Sequence, residues 1–135
     1  MFDLTIIGGL VVDGTGALGK KVDLGVKGEQ IDAIDDLSKA QTKRVINAEG
    51  LVISPGFIDT HTHSEGALLV DPQHSYGLRQ GITTEFLGID GMSYAPLSPK
   101  NYLLYRHWLG GVLGNPPQNI DMSSVAAFRS NYHKR

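Results

Sequence analysis

Ser54-Pro55-Gly56-Phe57-Ile58-Asp59-Thr60-His61-Thr62-His63-Ser64-Glu65 is the stretch on which the fold turns. It opens on a proline-glycine turn signal, continues through an apolar pair, and closes on side chains that ionise or bind metals. On an extended strand, residues two apart face the same side, so Asp59, His61 and His63 are expected to project together where a buried apolar strand ends. Two imidazoles so placed can bind one divalent metal. Neutral imidazole suits zinc, and a nearby carboxylate can hold the second ring nitrogen and fix its tautomer. The alternative is a pair of strand-end histidines bonded to threonine, aspartate or backbone, because closed metal sites usually need three or four ligands.

Upstream of this stretch the chain reads as short strands broken by glycine turns. Leu4 to Ile7, Leu10 to Val12, the alternating Val22, Leu24 and Val26, then Ile31 to Ile34 and Val45-Ile46 make an all-β segment over residues 1–52. Four or five such strands form a thin sheet that needs a partner layer. Gly14-Thr15-Gly16-Ala17-Leu18-Gly19 has the spacing of a dinucleotide fingerprint and follows an apolar strand. Its context fails, since the third glycine should open a helix and Lys20 to Val26 alternates like a strand. A glycine-rich hairpin loop is the expectation there.

Downstream, residues 53–135 change character. Leu51-Val52-Ile53 and Phe57-Ile58 are uninterrupted apolar runs of the kind that lie buried on both faces of a parallel sheet. Asp71 before Pro72 reads as a helix start, with Leu78 facing inward and Gly81 as the stop. A second buried strand, Ile82 to Leu87, follows. Ser98-Pro99 repeats the start signature, with Tyr102, Tyr105, Trp108 and Leu109 on one helical face and Gly110-Gly111 as the stop. A third helix begins at Ser123 or Ser124 with Val125, Phe128 and Tyr132 inward. The order is that of an opening βα repeat.

Composition bounds the function. Twelve Lys+Arg against fourteen Asp+Glu leave a net charge of -2, which gives no electrostatic reason to expect nucleic acid. Without cysteine there is no disulfide framework, thiolate zinc finger or cysteine nucleophile, so a metal here needs histidine and carboxylate ligands. Met1-Phe2-Asp3-Leu4 lacks a basic leader, and the apolar stretch to Val12 is short and interrupted by Gly8-Gly9. No membrane association and a cytoplasmic location are therefore expected.

Pro55 to His63, preceded by the glycine-rich β segment and Glu49-Gly50-Leu51-Val52-Ile53, resembles the metal motif of the amidohydrolase superfamily at the end of its first barrel strand. Gly81-Ile82-Thr83-Thr84-Glu85-Phe86-Leu87-Gly88-Ile89-Asp90-Gly91-Met92-Ser93-Tyr94-Ala95-Pro96 is similar to the second-strand segment of its D-aminoacylase branch, the N-acyl-D-amino-acid deacylases. The resemblance spans nearly the whole chain. It implies an α/β fold, with part of a small β-sandwich followed by the first strands and helices of a TIM barrel. A complete barrel takes roughly 250 residues, so a chain of 135 holds only the opening of one.

The resemblance also implies site roles. His61 and His63 would be ligands of zinc, with one or two ions in the complete enzyme, and Asp59 would stand behind them. The branch often places a ligating cysteine after its second strand, where this chain has Asp90 in a Gly-x-x-Gly context. Asp90 is read either as a metal ligand or as an Asx-turn residue supporting Gly91. The aspartate that would move the proton from the metal's water to the leaving amine is expected beyond Arg135, so the chain is expected to be an N-terminal fragment, inactive alone. The implied substrate is a small N-acyl amino acid. The alternatives are a cyclic-amide hydrolase of the dihydroorotase or hydantoinase kind, and a non-catalytic metal-binding or assembly module that self-associates through unpaired sheet edges. Glu65, two residues beyond His63, is read either as lining the same mouth or, the commoner outcome for its type, as an exposed strand-end carboxylate, and His74, His107 and His133, the last within the basic tail 129–135, as solvated or packing residues.

Overall fold

The computed structural model describes residues 1–133 and is mixed α/β. The chain divides into two units, Met1–Pro55 and Gly56–Arg135.

The first unit contains strands β1 (Leu4–Ile7), β2 (Leu10–Val11), β3 (Lys20–Lys21), β4 (Asp23–Lys27), β5 (Gln30–Asp35), β6 (Val45–Asn47) and β7 (Val52–Ile53). They form two sheets, in the orders β5-β4-β1-β6 and β3-β2-β7. The central β1 runs antiparallel to β4 and parallel to β6, and β2 repeats that arrangement between β3 and β7. The passage from β1 to β2 needs two glycines. Gly8 has φ 75°, and a Cβ on Gly9 would lie 2.5 Å from Ile53 Cδ1. The Asp23 carboxylate accepts the amides of Gly8 and Leu37, both at 3.0 Å, and so ties two loops to the start of β4. Thr5, Leu24 and Ala48 are buried. The Gly14–Gly19 segment is the loop of the β2–β3 hairpin, with Gly14 and Gly16 at positive φ and Asp13 accepting both the amide and the hydroxyl of Thr15.

The second unit pairs β8 (Phe57–Asp59) with β9 (Ile82–Glu85) in parallel, joined through α1 (Glu65–Val70) and α2 (Ser75–Leu78), and continues with α3 (Pro99–Leu113) and α4 (Val125–His133). Its core is Leu69, Tyr94, Tyr102, Leu113 and Met122, with Met92, Leu97, Leu109, Ile120, Phe128 and Tyr132 against it. The core tyrosines carry polar tips, and each finds a carbonyl: Tyr94 that of Gly114 at 2.7 Å and Tyr102 that of Pro117 at 2.6 Å.

Several expectations are corrected here. Asp71-Pro72 ends a helix instead of starting one. The run Glu65–Val70 is already helical, and the Asp71 amide closes its last turn on the Ala67 carbonyl. Pro72 has no N–H to continue the ladder and pushes Asp71 out of the helical region, to φ -119° and ψ 85°. The Asp71 carboxylate still serves the next helix, accepting the Ser75 amide at 3.0 Å.

Ser98 caps α3 as expected, its hydroxyl accepting the Asn101 amide, but Gly110-Gly111 does not stop the helix. It runs on to the buried Leu113 and ends at Gly114, φ 80°. The Asn115 side chain lies where a Cβ on Gly110 would be, so that glycine is a close-approach position within the helix. The aromatic stripe also divides. Tyr102 is buried, whereas Trp108 is 75% exposed. At ~100° per residue the two side chains stand about 120° apart, while Leu109 returns to the face of Tyr102.

The apolar runs differ from expectation too. Val52-Ile53 pairs with β2 in the first unit. Phe57 and Ile58 are 60% and 62% exposed, because β8 has only β9 beside it in its sheet, while α2 packs against β9. Val125 is likewise exposed, although Phe128 and Tyr132 of α4 do face the core.

Candidate metal centre

Parallel pairing of β8 and β9 sets Asp59 opposite Glu85, and the Phe86 amide bonds the Asp59 carbonyl at 2.9 Å. The segments leaving the two carboxyl ends therefore start side by side. His61 and His63 lie on the first and Asp90 on the second. The strand has ended by then, since β8 stops at Asp59, so the histidines stand on the following loop and not on the strand itself. The Asp59 carboxylate accepts the His61 backbone amide at 3.0 Å and shapes that exit. It holds main chain, not an imidazole nitrogen.

Asp90 sits in the left-handed region, φ 60° and ψ 18°, within a 3₁₀ turn at Ile89–Gly91. Gly88 at φ 77° and Gly91 at φ 70° flank it. A left-handed non-glycine residue costs about 1–2 kcal/mol, and aspartate is among the residues that tolerate it best. This turn aims the carboxylate at the histidines. Asp90 Oδ2 lies 3.0 Å from His61 Nε2 and 3.6 Å from His63 Nε2, and the imidazole rings meet edge to face with centroids 5.7 Å apart. The Asp90 side chain bonds His61 and not the backbone around Gly91, so its Asx-turn alternative is not what the structure shows.

One nitrogen from each histidine and one Asp90 oxygen all lie within 4.8 Å of one another. Two imidazoles and a carboxylate are a donor set that zinc accepts, and three protein ligands leave a coordination position open. The side chains of His61 and Asp90 are 64% and 52% exposed and that of His63 is 20% exposed, so the cluster is open to a small molecule while His63 is mostly covered.

Two further residues belong near this centre: Glu65, which the sequence offers as one that could line its mouth, and His74, which it does not. Glu65 is 1% exposed, a correction to its reading as an exposed carboxylate. Burial pushes its pKa up, against the pull of the Tyr94 amide, which bonds Oε2 at 3.1 Å. His74, expected to be solvated or to pack, adopts φ 47° and places Nε2 2.5 Å from Glu85 Oε1. The other Glu85 oxygen accepts the Ser64 hydroxyl, so Glu85 links α2 to the residue after His63. Gly77 is required there, because a Cβ would meet the His74 ring at 2.3 Å. The available signal for Glu85 was its place at the end of β9, the position that Asp59 holds in β8. His107 and His133 are exposed; Lys134 and Arg135 of the basic tail lie outside the described residues.

Residues 44–133 match the model of the amidohydrolase family. The chain is a member of that family. This amidohydrolase chain is 44% identical over 100 residues to a D-aminoacylase of Alcaligenes xylosoxydans xylosoxydans, covering 74% of the chain and 21% of the relative. It is 45% identical over 129 residues to an N-acyl-D-aspartate deacylase of the same organism, covering 84% and 26%. A crystal structure of N-acyl-D-glutamate deacylase from Bordetella bronchiseptica, complexed with zinc and a phosphonate inhibitor that mimics the tetrahedral intermediate, superposes with a TM-score of 0.68 at 27% identity. That superposition covers 98% of this chain and 35% of the other. The amidohydrolase chain thus spans between about a fifth and a third of the proteins it resembles.

Proposed function

We propose that this chain is the opening part of a zinc-dependent hydrolase that removes the N-acyl group from a D-amino acid. The observation that carries the reading is the convergence of His61, His63 and Asp90 within 4.8 Å at the carboxyl ends of two parallel strands. In barrel enzymes that face holds the chemistry. Residues 1–52 are then part of a small β-sandwich and residues 53–135 the first βα units of the barrel. The deacylase likenesses support the substrate class, and the zinc in the Bordetella protein supports the metal.

His61 and His63 would hold the ion through Nε2, with Asp90 as the third ligand and Asp59 keeping the His61 main chain in place. Zinc, when bound, supplies the Lewis acidity that acidifies a water and polarises an amide carbonyl. Asp90, as a harder donor than a thiolate, shifts the preference of the centre away from the softest metals. The exposed mouth admits the amide, and the buried side of His63 keeps one donor fixed while it binds. Moving the proton to the leaving amine would fall to a group in the part of the relatives that this chain does not cover, so the chain alone is expected not to turn over substrate.

The test is to combine the chain with the C-terminal remainder of the N-acyl-D-aspartate deacylase and assay N-acyl-D-amino acids, their L-forms and a hydantoin. Zinc-dependent release of the D-amino acid is expected. A folded complex that never hydrolyses it overturns the reading, and opening of the hydantoin instead reassigns the chain to the cyclic-amide hydrolases.

A further inference from the structure

Two buried side-chain atoms at this centre have no hydrogen-bond partner: Nδ1 of His63 and Oε1 of Glu65. Buried polar atoms are nearly always paired, so both call for an explanation. His63 turns Nε2 toward Asp90. A neutral imidazole that gives Nε2 to a metal carries its proton on Nδ1, and a ligating histidine almost always donates that second N–H to an acceptor. In this structure the proton would sit on the buried, unpartnered side of the ring.

The nearby carboxylates are mostly committed. Asp59 accepts the His61 amide, Asp90 bonds the His61 ring, and Glu85 serves Ser64 and His74. Glu65 is the one with an oxygen to spare. It is two residues from His63, at the first position of α1, and is held from two other directions. Oε2 accepts the Tyr94 amide at 3.1 Å, and the Glu65 backbone carbonyl accepts the Tyr132 hydroxyl at 3.0 Å. Among the described residues neither the Gly88 amide, the Ser93 hydroxyl nor His63 makes a hydrogen bond of ordinary geometry with Oε1. Gly88, Ser93 and Tyr94 all belong to the segment that carries Asp90.

We propose that Glu65 is a positioning residue of the metal centre: Oε1 accepts the Nδ1 proton of His63 when Nε2 is committed to zinc, while Oε2 fastens the Asp90 segment through the Tyr94 amide. The carboxylate thereby sets the tautomer and direction of one ligand and the distance to another, touching neither the metal nor the substrate. Two acceptor oxygens on one side chain meet both demands. A glutamine has a single acceptor oxygen, so it can serve Tyr94 or His63 but leaves the other unserved.

This inference rests on the zinc reading above, and nitrogen-15 NMR of the full chain titrated with zinc separates the two. Zinc is expected to move the Nε2 resonance of His63 and to leave a protonated Nδ1 whose proton is shifted downfield by a strong acceptor. Glu65→Gln is expected to keep the fold, lose that downfield proton and bind zinc about 10- to 100-fold more weakly, the usual effect of removing an outer partner of a ligating histidine. If zinc leaves both ring nitrogens of His63 unmoved, the zinc reading and this inference fall together. If zinc takes Nε2 but Glu65→Gln keeps the wild-type affinity and Nδ1 signal, Glu65 alone is overturned. Should the variant not fold, the wild-type protein decides: a hydrogen-bonded Nδ1 proton supports the assignment and a freely exchanging one overturns it.

Discussion

At the scale of single residues, the centre combines one mostly covered imidazole with two exposed ligand candidates, and that asymmetry has consequences. His63→Ala is expected to weaken zinc binding at least about 100-fold, beyond the ~10–100-fold typical of an outer partner. His107→Ala, on an exposed face of α3, is expected to leave it unchanged; calorimetric titration of the two variants checks this. Tyr102 gives a pH signature. Its burial pushes the phenol from its usual range up to about 12. The folded state then holds this proton more tightly than the unfolded chain, so its contribution is intact below pH 10 and is lost as pH rises through 12. Urea midpoints measured from pH 8 to 12 should fall over that interval, and Tyr102→Phe should flatten the fall while losing about 1 kcal/mol at neutral pH with the bond to Pro117. The exposed reading of Glu65 failed at this scale because burial is a property of what packs around a residue, and nothing within a few positions announces it; His74 does pack, and only its bond to Glu85 was not legible in the sequence.

At the scale of elements, the helix signals were correct in chemistry and partly wrong in place. Ser98 and Ser124 do cap, the latter accepting the Ala127 amide at 3.0 Å. Asp71-Pro72 and Gly110-Gly111 failed because proline and glycine mark both kinds of boundary, and tertiary contacts decide which applies. Gly114 is the residue that ends α3, with φ 80° and a Cβ position 2.5 Å from the Ala67 amide nitrogen. Gly114→Ala therefore meets backbone that cannot yield and a left-handed conformation that alone costs about 1–2 kcal/mol. A fall in melting temperature of at least ~4 °C is expected. Gly111 has nothing within 4 Å of its Cβ position and lies inside the helix, so Gly111→Ala is expected to stabilise by up to ~1 kcal/mol. Thermal denaturation of the pair distinguishes a terminating glycine from a tolerated one.

At the scale of the whole molecule, apolar surface is left uncovered. Phe57, Ile58, Val52, Leu78 and Trp108 are each more than half exposed among the described residues. The β8–β9 pair also offers backbone edges of the sort that invite pairing with another chain. The isolated 14.6 kDa chain is expected to self-associate, and analytical ultracentrifugation should show species larger than the monomer at micromolar concentration. Addition of the C-terminal remainder of a relative is expected to replace that association with a defined complex. A monodisperse monomer with these residues still exposed would contradict it.

The sequence alone carried the strand-rich opening and most strand positions through local periodicity, and the family through the resemblance of two segments, and it offered His61 and His63 as metal ligands with Asp90 left open between ligand and turn residue. Pro55 to His63 carried the two histidines and the first of the two resembling segments within nine residues. Tertiary structure alone decided that His61 and His63 stand on a loop past the strand, that a left-handed turn at Asp90 brings its carboxylate to 3.0 Å from His61, and that Glu65 is buried. The physical reason is distance along the chain: the parallel pairing of β8 with β9 sets residues about thirty positions apart side by side, and no window of sequence short enough to show a period contains both.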